Sequence, residues 1–285
     1  MTTPALLSES GRPVGDRSTR PMRPAPHGGS AVAGTGTRLA LLGTWALHHD
    51  GIAVPATVSE QRLVVLLALR HRQRRPYLAG TLWPDVAEKQ ALTRLRNTLC
   101  SLRRRAPRLL EVSEDAVGLG SSVDVDVAEL EALARAVLTG RLPEDVDPAD
   151  VCARLVMCDE LLLGWYDDWI IRERDRINEL RIRALESCVE VLLAHYRPSQ
   201  AAEAALTALT LDPLRESSHR ALMRVYLAEG NPALAARQAE RYREILHAEL
   251  GVSADPTDEM WAMLHDPRPT RSSLHGMHGD APELH

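Results

Sequence analysis

Between Glu88 and Ala106 the sequence reads EKQALTRLRNTLCSLRRRA, and two kinds of side chain alternate through it. Gln90, Thr93, Arg94, Asn97 and Ser101 carry donors and acceptors that match base edges: arginine pairs with guanine, asparagine or glutamine with adenine, serine or threonine with either. Lys89, Arg96, Arg103, Arg104 and Arg105 add cations of the kind that hold phosphates. Leu92, Leu95, Leu99 and Leu102 recur at steps of three and four, so a helix gathers them into one stripe that must face a core. At about 100° per residue, Gln90, Thr93, Arg94, Asn97, Ser101 and Arg104 then share an arc opposite that stripe, with Lys89, Arg96, Arg103 and Arg105 toward its edges. The chemistry of such an arc is the reading of double-stranded DNA, with Arg94 and Asn97 setting base preference and Arg104 gripping a phosphate. A basic helix face that only meets water has the same pattern, and the flanking elements decide between the two.

Those elements come in a telling order. RLALLGTWALHHDGIAV, from Arg38, offers two short strand-like runs around the turn signal His49-Asp50-Gly51. Ser59 has the character of an N-cap for a helix running to about Arg72, whose buried side is Leu63, Val64, Leu66, Leu67 and Leu69. The basic cluster His71 to Arg75 ends that helix before Pro76, and Tyr77 to Trp83 forms a short second one, stopped by Pro84-Asp85. Tyr77 and Trp83 are expected in the core rather than as stacking platforms. The amphipathic helix 88–105 is third, and Leu109 to Leu119 closes the unit as a hairpin with Glu114-Asp115 near its tip. Strands, three helices and a terminal hairpin follow the winged helix-turn-helix plan, in which the third helix enters the major groove.

Beyond Ser122 the pattern is helical almost throughout. A shift of 34 residues places Val191 on Val225, Leu193 on Leu227, Ala194 on Ala228 and Pro198 on Pro232. It also places Ala201, Ala202 and Ala205 on Ala235, Ala236 and Ala239. That interval is the period of tetratricopeptide helix pairs, and coincident alanines let paired helices approach closely. The predicted fold is therefore mainly α with a small β component, a winged helix-turn-helix followed by an all-α helical repeat. The chain divides into a Pro/Gly/Ser-rich tail at 1–37 that cannot bury enough surface to order itself, a DNA-binding unit at 38–121, a helical unit at 122–265 and a second tail at 266–285.

Charge is divided in the same place. Residues 38–120 hold 13 Lys/Arg against 7 Asp/Glu, whereas 121–265 hold 15 against 27, within a net charge of −5. Only the first half is suited to a polyanion. Cys100, Cys152, Cys158 and Cys188 have neither CxxC spacing nor a paired histidine pattern, so they read as reduced core thiols and not as zinc or redox sites. The acidic residues Asp167, Asp168, Glu173 and Asp175 alternate with Arg172, Arg174 and Arg176 and read as a solvated, ion-paired face and not as a metal site. No nucleophile, base and orienter assemble from the sequence, and no cofactor motif is present. The one lysine, Lys89, lacks the glycines of a phosphate-binding loop. With neither an apolar run of spanning length nor a signal sequence, the expected location is cytoplasmic.

Several strings together resemble one bacterial family. Leu161 to Trp169 (LLLGWYDDW), Arg172-Glu173-Arg174, Leu82-Trp83, Leu102-Arg103-Arg104, Asp212 to Glu216 (DPLRE) and Glu249 to Val252 (ELGV) are similar to those of the Streptomyces antibiotic regulatory protein family. The resemblance runs from about Arg38 to Leu264. It implies an OmpR-type winged helix joined to a bacterial transcriptional activation domain of tetratricopeptide type. The implied function is a transcriptional activator that binds direct repeats near promoters, recruits RNA polymerase, pairs as a homodimer on DNA and serves secondary-metabolite genes such as those of antibiotic biosynthesis. The hairpin departs from the family by lacking its usual Gly-Tyr pair. That departure keeps a second reading open, a protein-docking module whose winged helix no longer binds DNA specifically.

Overall fold

The computed structural model describes residues 36–142 and 145–251, together with Ala262 and Leu264. The tails predicted at either end lie outside the described residues except for Gly36, whose N–H donates to Asp50, and Thr37, which already belongs to the first strand. β1 (Thr37–Ala40) pairs antiparallel with β2 (Ala46–His49), which pairs with β3 (Ile52–Ala53). Asp50 and Gly51 join β2 to β3 with φ of 49° and 78°. A two-residue hairpin loop needs left-handed backbone at both positions, which is why Asp-Gly stands there.

α1 (Val58–Arg70) starts one residue earlier than Ser59 would have it. Its cap is Thr57, whose backbone N–H and hydroxyl both donate to the Glu60 carboxylate at 2.7 and 3.0 Å, the pairing a Thr-x-x-Glu sequence favours. The helix ends at Arg70, because His71 takes φ 58°. The basic cluster then becomes β4 (Gln73–Arg74) and the first turn of α2 (Arg75–Leu82), where Pro76 needs no donor. α3 (Glu88–Arg105) has the predicted bounds. β5 (Leu110–Val112) and β6 (Ala116–Leu119) form the wing, in a sheet ordered β4-β6-β5.

One element went unforeseen. β7 (Val123–Val125) is a strand where helix was expected, and it pairs parallel with β1 through Thr37↔Val123 and Leu39↔Val125. Three residues carry almost no periodicity, and their partner lies far back in the chain. Helices follow: α4 (Asp126–Leu138), α5 (Pro148–Val156), α6 (Asp168–Ala194), α7 (Pro198–Leu211), α8 (Glu216–Ala228) and α9 (Pro232–Leu250).

The 34-residue interval is visible in the helix boundaries. α6 and α8 end at Ala194 and Ala228, while α7 and α9 begin at Pro198 and Pro232. Ala201, Ala205, Ala235 and Ala239 are fully buried. The turns repeat as well: Arg197 N–H donates to Leu192 O as Asn231 N–H donates to Tyr226 O, and the positive φ falls on Tyr196 in one and Gly230 in the other.

Strands and helices share a junction. The Asp126 carboxylate accepts from the N–H groups of Leu41 and Leu42, both at 2.9 Å, and from Val127 at 2.7 Å. Burial pushes its carboxyl above the usual aspartate range, outweighing those three donors. The LLLGWYDDW string completes the seam. Leu162 and Leu163 N–H groups donate to Leu41 O and Gly43 O at 2.8 and 2.7 Å, and Gly43 N–H donates to Glu160 O at 2.8 Å. The Arg174 guanidinium holds the loop by donating to the carbonyls of Leu161, Leu162 and Trp165. Buried Glu173 sits between Arg70 of α1, at 2.5 Å, and Arg176, at 2.7 Å, and Arg62 pairs with Asp167. One apolar cluster runs from Leu39 through Leu95 and Leu185 to Val225. Among the described residues no helix is long and apolar enough to cross a membrane.

Candidate nucleic-acid interface

α2 and α3 are joined by a turn in which Trp83 N–H donates to Ala79 O at 3.0 Å and Val86 N–H to Trp83 O at 3.4 Å. Trp83 packs against the core as expected, whereas Tyr77 is exposed on the outer side of α2. Pro84 and Asp85 stop the first helix, so α3 can leave in a new direction.

The buried seam of α3 consists of Ala91, Leu95, Thr98, Leu99 and Leu102, with Leu92 only half buried. Ala91 and Thr98 join the seam on the side away from Leu92, rotating it by roughly a tenth of a turn from the leucine stripe. Thr98 is accommodated because its hydroxyl donates to Arg94 O at 2.9 Å. The outermost positions are consequently Thr93, Asn97, Cys100 and Arg104. Cys100 is thus exposed on this face, unlike the buried Cys152 and Cys188.

Lys89, Gln90, Thr93, Arg94, Arg96, Asn97, Arg103, Arg104 and Arg105 are all exposed, and Ser101 is half buried. Four of the ten side chains are engaged within the fold: the Thr93 hydroxyl donates to Lys89 O at 2.8 Å and Arg104 Nε to Cys100 O at 3.3 Å, both within α3, while Ser101 and Arg105 reach toward α1. Arg105 donates to Glu60 at 2.6 Å, to Pro55 O at 3.1 Å and to the Ser101 hydroxyl at 2.9 Å. Burial raises the Glu60 carboxyl, but donors from Thr57 and Ser101 together with the Arg105 charge outweigh it and hold the group below the usual glutamate range. Ser101 and Arg105 therefore tie the end of α3 to the start of α1. Nothing local in the sequence signals this, because Glu60 is 45 residues away. Lys89, Arg94, Arg96, Arg103 and Arg104 have no ion-paired carboxylate among the described residues.

The wing is short and closed by Ser113, whose N–H donates to Ala116 O and whose hydroxyl bonds to the same residue. Its tip, Glu114-Asp115, is exposed and acidic. Arg75 N–H donates to Asp115 O, its guanidinium donates to Ser113 O at 3.0 Å, and Arg72 donates to the Ser113 hydroxyl at 2.7 Å. Gly120 admits no side chain, since a Cβ there would lie 2.4 Å from Arg108 O. Between the start of α2 and α3 lies a groove of about 320 Å³, bordered by Arg75, Lys89, Thr93 and Arg96 over Leu92, Leu95 and Leu99, and Arg75 links it to the wing through Ser113 O. Arg75 was not among the predicted contacts. Its place in the basic cluster ahead of Pro76 was the available signal.

Comparison with known proteins gives the following likenesses. Residues 124–265 match the bacterial transcriptional activator domain family. Over 231 residues the chain is 32% identical to the regulatory protein AfsR of Streptomyces coelicolor, a match covering 77% of this chain and 23% of AfsR. The chain thus spans less than a quarter of the length of that curated relative. Mycobacterium tuberculosis EmbR, solved in complex with a low-affinity phosphopeptide, superposes with a TM-score of 0.64 at 18% identity. That superposition covers 80% of this chain and 64% of EmbR, and at such identity it is a likeness of fold.

Proposed function

Because the chain belongs to the Streptomyces antibiotic regulatory protein family, with a bacterial transcriptional activator domain over residues 124–265, we propose that it is a sequence-specific DNA-binding activator. The exposed face of α3 carries this reading. Asn97 and Thr93 point outward beside cations that have no ion-pair partner among the described residues, the arrangement that lets amide and hydroxyl groups meet base edges while guanidinium groups meet phosphates. Arg94 reads a base from the flank of the helix. Lys89, Arg96, Arg103 and Arg104 hold the backbone, and Gln90 lies beside the first turn.

Two copies bind direct repeats side by side, with half-sites about 10–11 base pairs apart so that both meet the same face of the duplex. Such a head-to-tail pair is not closed by a two-fold axis and forms on DNA. The helical half, of tetratricopeptide type, offers its surface to RNA polymerase at promoters of secondary-metabolite genes, and the protein acts in the cytoplasm where those promoters are. A second reading, a docking module without sequence preference, draws support from the acidic wing tip and from the engagement of Ser101 and Arg105.

Selection of random DNA by the full chain, followed by footprinting at physiological salt, separates the two. The activator reading expects a direct repeat at one-turn spacing, with preference lost in Arg94→Ala or Asn97→Ala. Weak, salt-sensitive binding without enrichment favours the docking module.

A further inference from the structure

We infer that the wing-side grip on the DNA backbone is made by the groove between the start of α2 and α3, through Arg75, Lys89 and Arg96, and that the wing tip takes no part in it. This rests on the DNA-binding reading and assigns it a subsite. In a winged helix the strand beside the recognition helix passes close to the hairpin, so a hairpin suited to that role presents donors or cations. Here the tip presents two exposed carboxylates, Glu114 and Asp115, which repel phosphate. The donors that would ordinarily balance them point elsewhere. The Ser113 hydroxyl donates to Ala116 O, the Arg72 guanidinium donates to that hydroxyl, and the Arg75 guanidinium donates to Ser113 O.

The cations lie one step back from the tip. Arg75 spends one guanidinium nitrogen on Ser113 O, while its Nε is buried without a hydrogen-bond partner. Lys89 and Arg96 are two turns apart on the same edge of α3, about 10 Å along the helix axis. That separation is enough to touch successive phosphates of one strand. Neither Lys89 nor Arg96 is paired with a carboxylate among the described residues. Leu92, half exposed between them, gives the groove an apolar floor against which a sugar can rest. Its occupant is the phosphodiester backbone of the bound duplex, because three cations and no carboxylate line the groove and Thr93 of the reading face shares its border.

The test uses the full chain on its selected site. Salt titrations are made for the wild type, for Lys89→Gln/Arg96→Gln and for Glu114→Gly/Asp115→Gly, with hydroxyl-radical footprints of each complex. Each lost phosphate contact lowers the slope of log affinity against log salt by about 0.9. The groove variant is expected to lose a slope of about 2 and one patch of backbone protection, with its ranking of DNA sequences unchanged. The tip variant is expected to keep both slope and protection. An unchanged slope in the groove variant, or loss of the same protected patch in the tip variant, overturns the assignment while leaving the activator reading intact. If the wild type selects no sequence at all, the activator reading fails and the subsite falls with it.

Discussion

Glu60 and Arg105 decide which side of α3 is available to a ligand. A carboxylate 1% exposed needs partners. It finds them in the Thr57 N–H and hydroxyl, and in a guanidinium from the far end of α3. Glu60→Gln removes the charge from these contacts and is expected to lower stability by about 1.5–3 kcal/mol at pH 7, read from urea unfolding. The pH dependence has a definite sign. The folded-state pKa lies below the ordinary 4.5, so this stabilisation is complete above that value and is lost as pH falls through the folded pKa. The variant should therefore lose less than the wild type on acidification from about pH 5 to pH 3. Equal loss in both proteins would remove Glu60 from the account. On DNA, Asn97→Ala should cost about 1–3 kcal/mol against the selected site and relax preference at one base pair. Arg105→Ala should act mainly through stability, leaving preference unchanged in the folded fraction. Residue types and spacing made Asn97 legible from the sequence. They made Arg105 look equivalent to Arg103, since a distant partner leaves no local trace.

At the scale of elements, punctuation was read more surely than pairing. The prolines that open α7 and α9 and the breakers around α2 and α3 act within a turn of where they stand, so the bounds of α3 and the repeat followed from local sequence. β7 has no such signal, because what makes Val123–Val125 a strand is the free edge of β1. The repeated turn shows how a local rule can also be broken. Gly230 takes φ 72° without strain, whereas Tyr196 takes φ 57° at the equivalent place with its side chain 93% exposed. A left-handed non-glycine residue costs about 1–2 kcal/mol, and glycine returns roughly half of that through its freer unfolded state. Tyr196→Gly is expected to raise stability by about 0.5–1 kcal/mol, whereas Gly230→Ala should lower it by about 1 kcal/mol. Thermal and urea unfolding of the two variants check this pair. A loss of stability in Tyr196→Gly would mean that the tyrosine makes contacts that offset its backbone strain.

The whole molecule joins its basic and acidic halves without a slack linker. Charge alone places a boundary near Ser121, but the sheet crosses it: β1 is bordered by β2 on one side and by β7 on the other. Behind that sheet Asp126 holds the N–H groups of Leu41 and Leu42, and the loop at Leu161–Leu163 bonds to the β1–β2 connection. Glu173 of α6 clamps that helix to α1 through Arg70, while Arg176, one turn on in α6, holds its second oxygen. The direction of α3 is thereby fixed relative to the helical repeat, as an activator requires if DNA on one surface is to set where the other surface meets its partner. A chain built this way should unfold in one transition, with tryptophan fluorescence and far-ultraviolet circular dichroism coincident. Ending the chain after Ser121 removes β7, Asp126 and the 161–163 loop together, which exposes one edge of β1 and the apolar side of the sheet. Such a fragment is expected to lose most of its ordered near-ultraviolet signal at 25 °C, although it retains all of α1, α2 and α3. A fragment ending at Ser121 that melted cooperatively near the temperature of the full chain would show that the winged helix stands on its own core, and the coupling of α3 to the repeat would then have to reside in the ion pairs of Glu173 and Asp167 alone.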